Sequence, residues 1–149
     1  MQLATVNSEG KPCCRTVVFR GFMASSGDKT SAAADRESLT FITDARSSKM
    51  SESRDTEVCW YLTGTREQFR LSGVLDMISH TSAPGQNEHR SRKWQGLSAA
   101  ARKQFLWPHP GSPRKSSTPE QDKRDFDDVE PSEMDPPDSF VLVTLRPER

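Results

Sequence analysis

The sequence predicts a mainly β domain, a small antiparallel barrel with a few helices. Six apolar runs of strand length recur along the chain, separated by turn residues at hairpin spacing. Strands do not alternate regularly with amphipathic helices, as a doubly wound parallel sheet would require. The hydrophobic fraction is only 32%, so the core is small, and small cores often lean on a partner subunit.

Residues 2–6 read as the first strand, and residues 7–12 as a turn punctuated by Gly10 and Pro12. Residues 13–22 are rich in β-branched and aromatic side chains and read as a second strand, closing a hairpin. Alternation sends Arg15, Val17 and Phe19 to one face and Thr16, Val18 and Arg20 to the other. An arginine on a half-buried face takes a partner, either a protein carboxylate or a ligand. Residues 24–37 are small and polar and read as a loop. A third strand is expected over 39–43, followed by the run TDARSSK at 43–49 and a short helix over 50–57. The fourth strand, 57–62, is a continuous apolar run with both faces covered.

Residues 63–65 form a tight turn, and 66–78 a fifth strand in which Gln68, Arg70 and Ser72 alternate with Phe69, Leu71 and Gly73. A glycine there marks a bulge or a close backbone approach. Residues 80–89 read as a loop and 90–105 as a helix, with Trp94, Leu97, Ala101 and Phe105 on one core-facing side. Pro108 and Pro110 end it. From 108 to 138, Pro, Ser and charged residues dominate, the composition of a disordered loop. The last strand is expected over 140–145. The organisation is therefore one domain, 1–107 plus 139–149, with 108–138 inserted as a loop.

Lys+Arg and Asp+Glu both number 21, so no overall charge draws the chain to nucleic acid or an anionic membrane. No run has the length of a transmembrane helix, and the N-terminus has no signal-peptide pattern. The chain reads as beginning inside a strand, the expectation for a truncated copy of its domain. Cys13, Cys14 and Cys59 are odd in number and two are adjacent. That argues against a disulfide framework and for a reducing compartment, so a cytoplasmic location is expected. His80, His89 and His109 have no ligand spacing with the cysteines, and no metal site is expected.

The run at 43–49 has the chemistry of an anion site. Thr43 and Asp44 close a strand, Ser47 and Ser48 supply hydroxyl donors, and Arg46 and Lys49 supply charge. The unpaired N–H groups of a following helix would point at the same place. The same residue types also suit an ordinary capped helix start.

Taken in order, six stretches resemble one family. They are QLATV at 2–6, RTVVFRGF at 15–22, FITDARSSK at 41–49, EVCWY at 57–61, TREQFRLSG at 65–73 and ARKQFLWP at 101–108. The family is that of the pyridoxine/pyridoxamine 5'-phosphate oxidase-like FMN-binding split barrels. The resemblance implies a homodimer with FMN at the subunit interface. It implies flavin contacts from Arg15, Thr16, Val17, Val18, Gln68 and Ser72, and phosphate contacts from Thr43, Ser47, Ser48 and Lys49. Arg20 and Arg102 fall on the substrate side. The implied activity is FMN-dependent oxidation of an amine or alcohol on phosphorylated vitamin B6.

The sequence also departs from the family pattern. Ser48 stands where the oxidases often carry Arg, with Arg46 as a partial replacement, and Arg20 stands where they carry Lys. The C-terminal Trp and Arg of the oxidases have no counterpart before Arg149, and no catalytic residue is assigned. The alternatives are a non-catalytic module binding FMN or a phosphate ligand, or an inactive truncated fragment.

Overall fold

A computed structural model describes residues 1–23, 38–113 and 118–148. The loop expected at 24–37 lies outside the described residues. The chain divides into two compact units. One comprises Met1–Ile42, Ser48–Met77 and Val143–Arg149, and the other comprises Thr43–Ser47 and Ile78–Leu142.

The first unit is built on a sheet. Among the described residues six strands are present: β1 (Gln2–Val6), β2 (Pro12–Thr16), β3 (Leu39–Asp44), β4 (Asp55–Leu62), β5 (Glu67–Ile78) and β6 (Phe140–Pro147), of which the first unit holds β1, β2, β4 and part of each of the others. Their order is β2-β1-β4-β5-β6-β3. The six antiparallel strands form a half-barrel, the mainly β fold that the sequence predicts. The β1–β2 hairpin pairs Leu3 with Arg15 and Gln2 with Thr16, and β1 pairs Leu3 with Val58 of β4. Its turn uses Gly10 at φ 77°, a conformation glycine adopts without strain.

Because side chains alternate along each strand, these registers define two faces. The inner face carries Leu3, Thr5 and Val58, all buried. The second strand is shorter than expected. It stops at Thr16, and among the described residues that follow, an isolated bridge joins Phe22 to Leu39 and backbone hydrogen bonds join Arg20 and Gly21 to Thr40. Gly73 makes the close approach expected of it: an added Cβ would lie 2.2 Å from the carbonyl oxygen of Arg146.

Helices dominate the second unit. Helix α1 runs Pro84–Gln95, α2 runs Ala99–Lys103, and a 3-10 turn follows at Gln104–Leu106. A single helix over 90–105 is therefore corrected to two. Pro84 starts α1 because its fixed φ suits a first helical position, which takes the helix into the expected loop. Gly96 ends it, and Ser98 caps α2 by accepting the Ala101 N–H. The expected core face is present nonetheless. Trp94, Leu97, Ala101 and Phe105 are buried, and Trp94, Phe105 and Phe140 meet edge to face with centroids 4.9–5.8 Å apart.

The described part of the stretch read as disordered carries a short helix, α3 (Pro119–Asp122), and a π-helical turn, Lys123–Asp127. Side chains of the helical unit reach its carbonyls. Trp94 donates to Ser132, Arg102 to Glu133, Lys103 to Asp127 and Trp107 to Phe126.

Candidate functional site

The predicted cofactor residues of the sheet unit divide between its two faces. Strand pairing places Tyr61 opposite Gln68, Cys59 opposite Arg70 and Glu57 opposite Ser72. The same face continues through Gln2, opposite Cys59, to Thr16, opposite Gln2. Thr16, Gln68 and Ser72 are thus together on an outer, exposed face, where the Thr16 hydroxyl donates to Gln2 Oε1 at 3.2 Å. Arg15 points the other way, onto the inner face with Leu3 and Thr5. Beyond β2, Val17 is buried and Val18 is exposed. Arg20 follows, its backbone N–H donating to the carbonyl of Thr40 at 2.8 Å.

Arg15 has the partner that its position demands. Its guanidinium donates to the Glu52 carboxylate and to the Thr5 hydroxyl, and that hydroxyl donates to the same Glu52 oxygen. The triangle is closed and shielded: the Glu52 side chain is only 5% exposed. Burial alone would raise the Glu52 pKa. Hydrogen bonds from Thr5 and Arg15 and the charges of Arg15 and Lys49 outweigh it and hold the carboxyl below its ordinary value.

Sequence reasoning did not single out Glu52, although a signal was present. The helix expected over 50–57 is a single 3-10 turn, Ser48–Ser51, and the Glu52 N–H donates to Lys49 O at 3.4 Å. A 3-10 turn eclipses positions i and i+3, which puts Lys49 and Glu52 on one side.

In the helical unit, Thr43 and Ser47 come together with hydroxyl oxygens 3.4 Å apart, and Ser47 also donates to Asp44 O at 2.8 Å. Arg46, expected as a partial replacement for the arginine absent at Ser48, is engaged within the chain. It forks onto Asp44, with Nε and a terminal nitrogen donating at 2.9 and 2.6 Å, and the hydrogen-bonded carboxylate raises its pKa further. Arg102 is buried, donating to Glu133 O at 3.1 Å with a carboxylate oxygen of Glu133 at 3.7 Å, and so it anchors its own unit.

A cavity of about 650 Å³ in the same unit is lined by Trp107, His109, Asp125 and Phe126 among others, and by none of the residues assigned to flavin. Among the described residues no cluster of three His, Cys, Asp or Glu is placed to hold a metal. No described helix is long and apolar enough to cross a membrane.

The donor set fits a flavin phosphate in kind. The sheet unit offers a lysine, an arginine and an exposed strand face where Tyr61, 54% exposed, lies opposite Gln68; the helical unit offers a pair of hydroxyls, Thr43 and Ser47.

Known proteins agree. A family profile for the pyridoxamine 5'-phosphate oxidase FMN-binding domain matches residues 1–79. Pyridoxine/pyridoxamine 5'-phosphate oxidase 2 of Arabidopsis thaliana is 36% identical over 154 residues, covering 100% of this chain and 70% of the relative. An uncharacterised protein of Saccharomyces cerevisiae is 41% identical over 96 residues, covering 52% of this chain and 30% of its own length. The solved structure of a pyridoxamine 5'-phosphate oxidase-related, FMN binding protein from Nostoc punctiforme matches with a TM-score of 0.81 at 40% identity. That match covers 98% of this chain and 70% of the other. With the half-barrel, the phosphate-type donors and these matches in agreement, the chain belongs to the pyridoxamine 5'-phosphate oxidase FMN-binding domain family.

Proposed function

We propose that two copies of this chain hold FMN between them and use it to oxidise a phosphorylated amine or alcohol of the vitamin B6 type. One observation carries the dimer reading: the residues assigned to the flavin lie on opposite faces of the sheet. Arg15 is on the inner face, and Thr16, Gln68 and Ser72 are on the outer one. One rigid copy cannot present both faces to a single FMN molecule, whereas two copies can. The exposed apolar side chains Val18, Tyr61 and Phe69 supply area for the second copy to cover.

In this reading Lys49, Ser47, Ser48 and Thr43 hold the phosphate and offset its charge, with Arg15 nearby. Thr16, Val17, Val18, Gln68 and Ser72 orient the ring, and Arg20 faces the substrate phosphate. FMN itself, when bound, supplies the two-electron redox chemistry. The protein's part is to position the ring and exclude water.

The engagement of Arg102 with Glu133 favours a second reading, a flavin-binding module without oxidase turnover. Flavin fluorescence quenching, run with size exclusion on the same sample, tests the binding step. Saturable quenching with a dimer peak is expected, and Lys49→Ala should weaken FMN by at least about tenfold, the cost of one charge-assisted contact. Unchanged affinity in that variant overturns the site. Oxygen consumption with pyridoxamine 5'-phosphate then separates the two readings.

A further inference from the structure

We propose that Glu52 is an internal counter-anion at the phosphate site, and that its carboxylate competes with the flavin phosphate for Arg15 and Lys49. The proposal rests on the FMN reading above. Its basis is the closed triangle of Arg15, Thr5 and Glu52, which is almost sealed from solvent at the carboxylate. Both terminal nitrogens of Arg15 are already engaged within the chain. One donates to Thr5 and, at 3.4 Å, to the carbonyl of Cys13, and the other donates to Glu52. Arg15 is therefore held within the chain through both terminal nitrogens, and a ligand must share the guanidinium with Glu52. Lys49 acts on the same carboxylate, since its charge is among those that hold the Glu52 pKa down.

The local backbone explains the arrangement. The connection from β3 to β4 contains a 3-10 turn, Ser48–Ser51, and its end is tied to β1 by the Ser53 N–H donating to the Val6 carbonyl, which holds Glu52 near Thr5 and Arg15. The resident carboxylate offsets part of the positive charge that Arg15 offers an incoming phosphate, and Lys49 adds its charge to the same balance. Removing the carboxylate charge restores it, in a place where water screens poorly. A phosphate that takes the cations must release Glu52 or share them with it. The carboxylate thereby sets how strongly the site prefers FMN to riboflavin, which has the same ring and no phosphate.

The test is titration of FMN and riboflavin into wild type and Glu52→Gln, followed by flavin fluorescence. Glutamine keeps the shape and can still accept from Thr5. The expected result is FMN binding at least about tenfold tighter in Glu52→Gln, with the gain confined to the phosphate-bearing flavin. Unchanged or weaker FMN binding overturns the proposal, because a carboxylate that merely orients Arg15 for the ligand would cost affinity when neutralised. If neither protein binds flavin, the FMN reading fails and inorganic pyrophosphate becomes the probe. A calorimetric gain in Glu52→Gln then upholds the counter-anion, and equal heats overturn it. Circular dichroism checks the fold. Should Glu52→Gln not fold, Thr5→Val loosens the same carboxylate and is expected to tighten FMN a few-fold; no gain overturns the proposal.

Discussion

In the sheet unit, Leu3, Val58 and Leu145 are almost wholly buried, and their neighbours are fixed by strand pairing. In the helical unit the aromatic cluster is equally buried, but five further attachments are of another kind. Arg90, Trp94, Arg102, Lys103 and Trp107 each place a side-chain N–H on a backbone carbonyl between residues 126 and 140. Arg90 is the clearest case. Its Nε donates to Phe140 O at 2.9 Å, a terminal nitrogen donates to Pro137 O at 2.6 Å, and its guanidinium lies 5.6 Å from the Phe140 ring centre. Burial lowers its pKa, although not enough to neutralise an arginine. The difference teaches that a segment almost free of aliphatic residues can be ordered when its carbonyls, rather than its side chains, are what the rest of the unit recognises.

The largest effect should come from Trp94, which serves both kinds of attachment in the helical unit. It is fully buried against Phe105 and Phe140, and its indole N–H donates to Ser132 O at 2.9 Å. Trp94→Ala should cost about 3–5 kcal/mol in chemical denaturation. Amide exchange should rise first at residues 84–106 and 128–142. An equal, simultaneous rise in β1 and β4 would break the comparison.

The sheet unit has its own sensitive point in Gly73, where a methyl group would meet the Arg146 carbonyl at 2.2 Å. Backbone is not free to swing aside as a side-chain end is. Gly73→Ala should therefore cost about 1–3 kcal/mol by overpacking, with exchange rising in β5 and β6. A denaturation midpoint matching wild type would mean that those strands give way without cost.

These two positions show what was legible. Gly73 could be read from sequence because an isolated glycine inside an alternating strand has few explanations. The strands were legible for a similar reason, since alternation in the fifth and short apolar, β-branched runs in the others are local signals. Trp94 was legible as core, by its helical spacing with Leu97, Ala101 and Phe105. Its hydrogen bond to Ser132 was not, because donor and acceptor matching across 38 residues leaves no local pattern.

The candidate site divides in the same way. The cations and hydroxyls at 43–49 announce an anion by residue type. Which candidate donors the fold engages internally depends on their neighbours in the folded chain, close in sequence for Arg46 on Asp44 and distant for Arg15 on Glu52. Residue type alone does not tell a donor waiting for a ligand from a donor already satisfied.

The smallest expected effect separates the two regions by acid. The carbonyl attachments of the helical unit come from Arg, Lys and Trp donors, none of which titrates below neutral pH. The Arg15–Glu52 contact does. With the Glu52 pKa depressed in the folded state, its contribution is fully present above the unfolded carboxylate value of about 4.3 and is lost as pH falls through the lower folded value. Wild type should thus exceed Glu52→Gln in denaturation midpoint at neutral pH, and the gap should close in acid, where both carry a neutral group at position 52. Taking the difference cancels the other carboxylates, which titrate alike in both proteins. A gap that stays constant from neutral pH to about pH 3 would mean that Glu52 and Arg15 are not coupled in the folded chain, and the buried triangle would then add nothing to the apolar burial and strand pairing of the sheet unit.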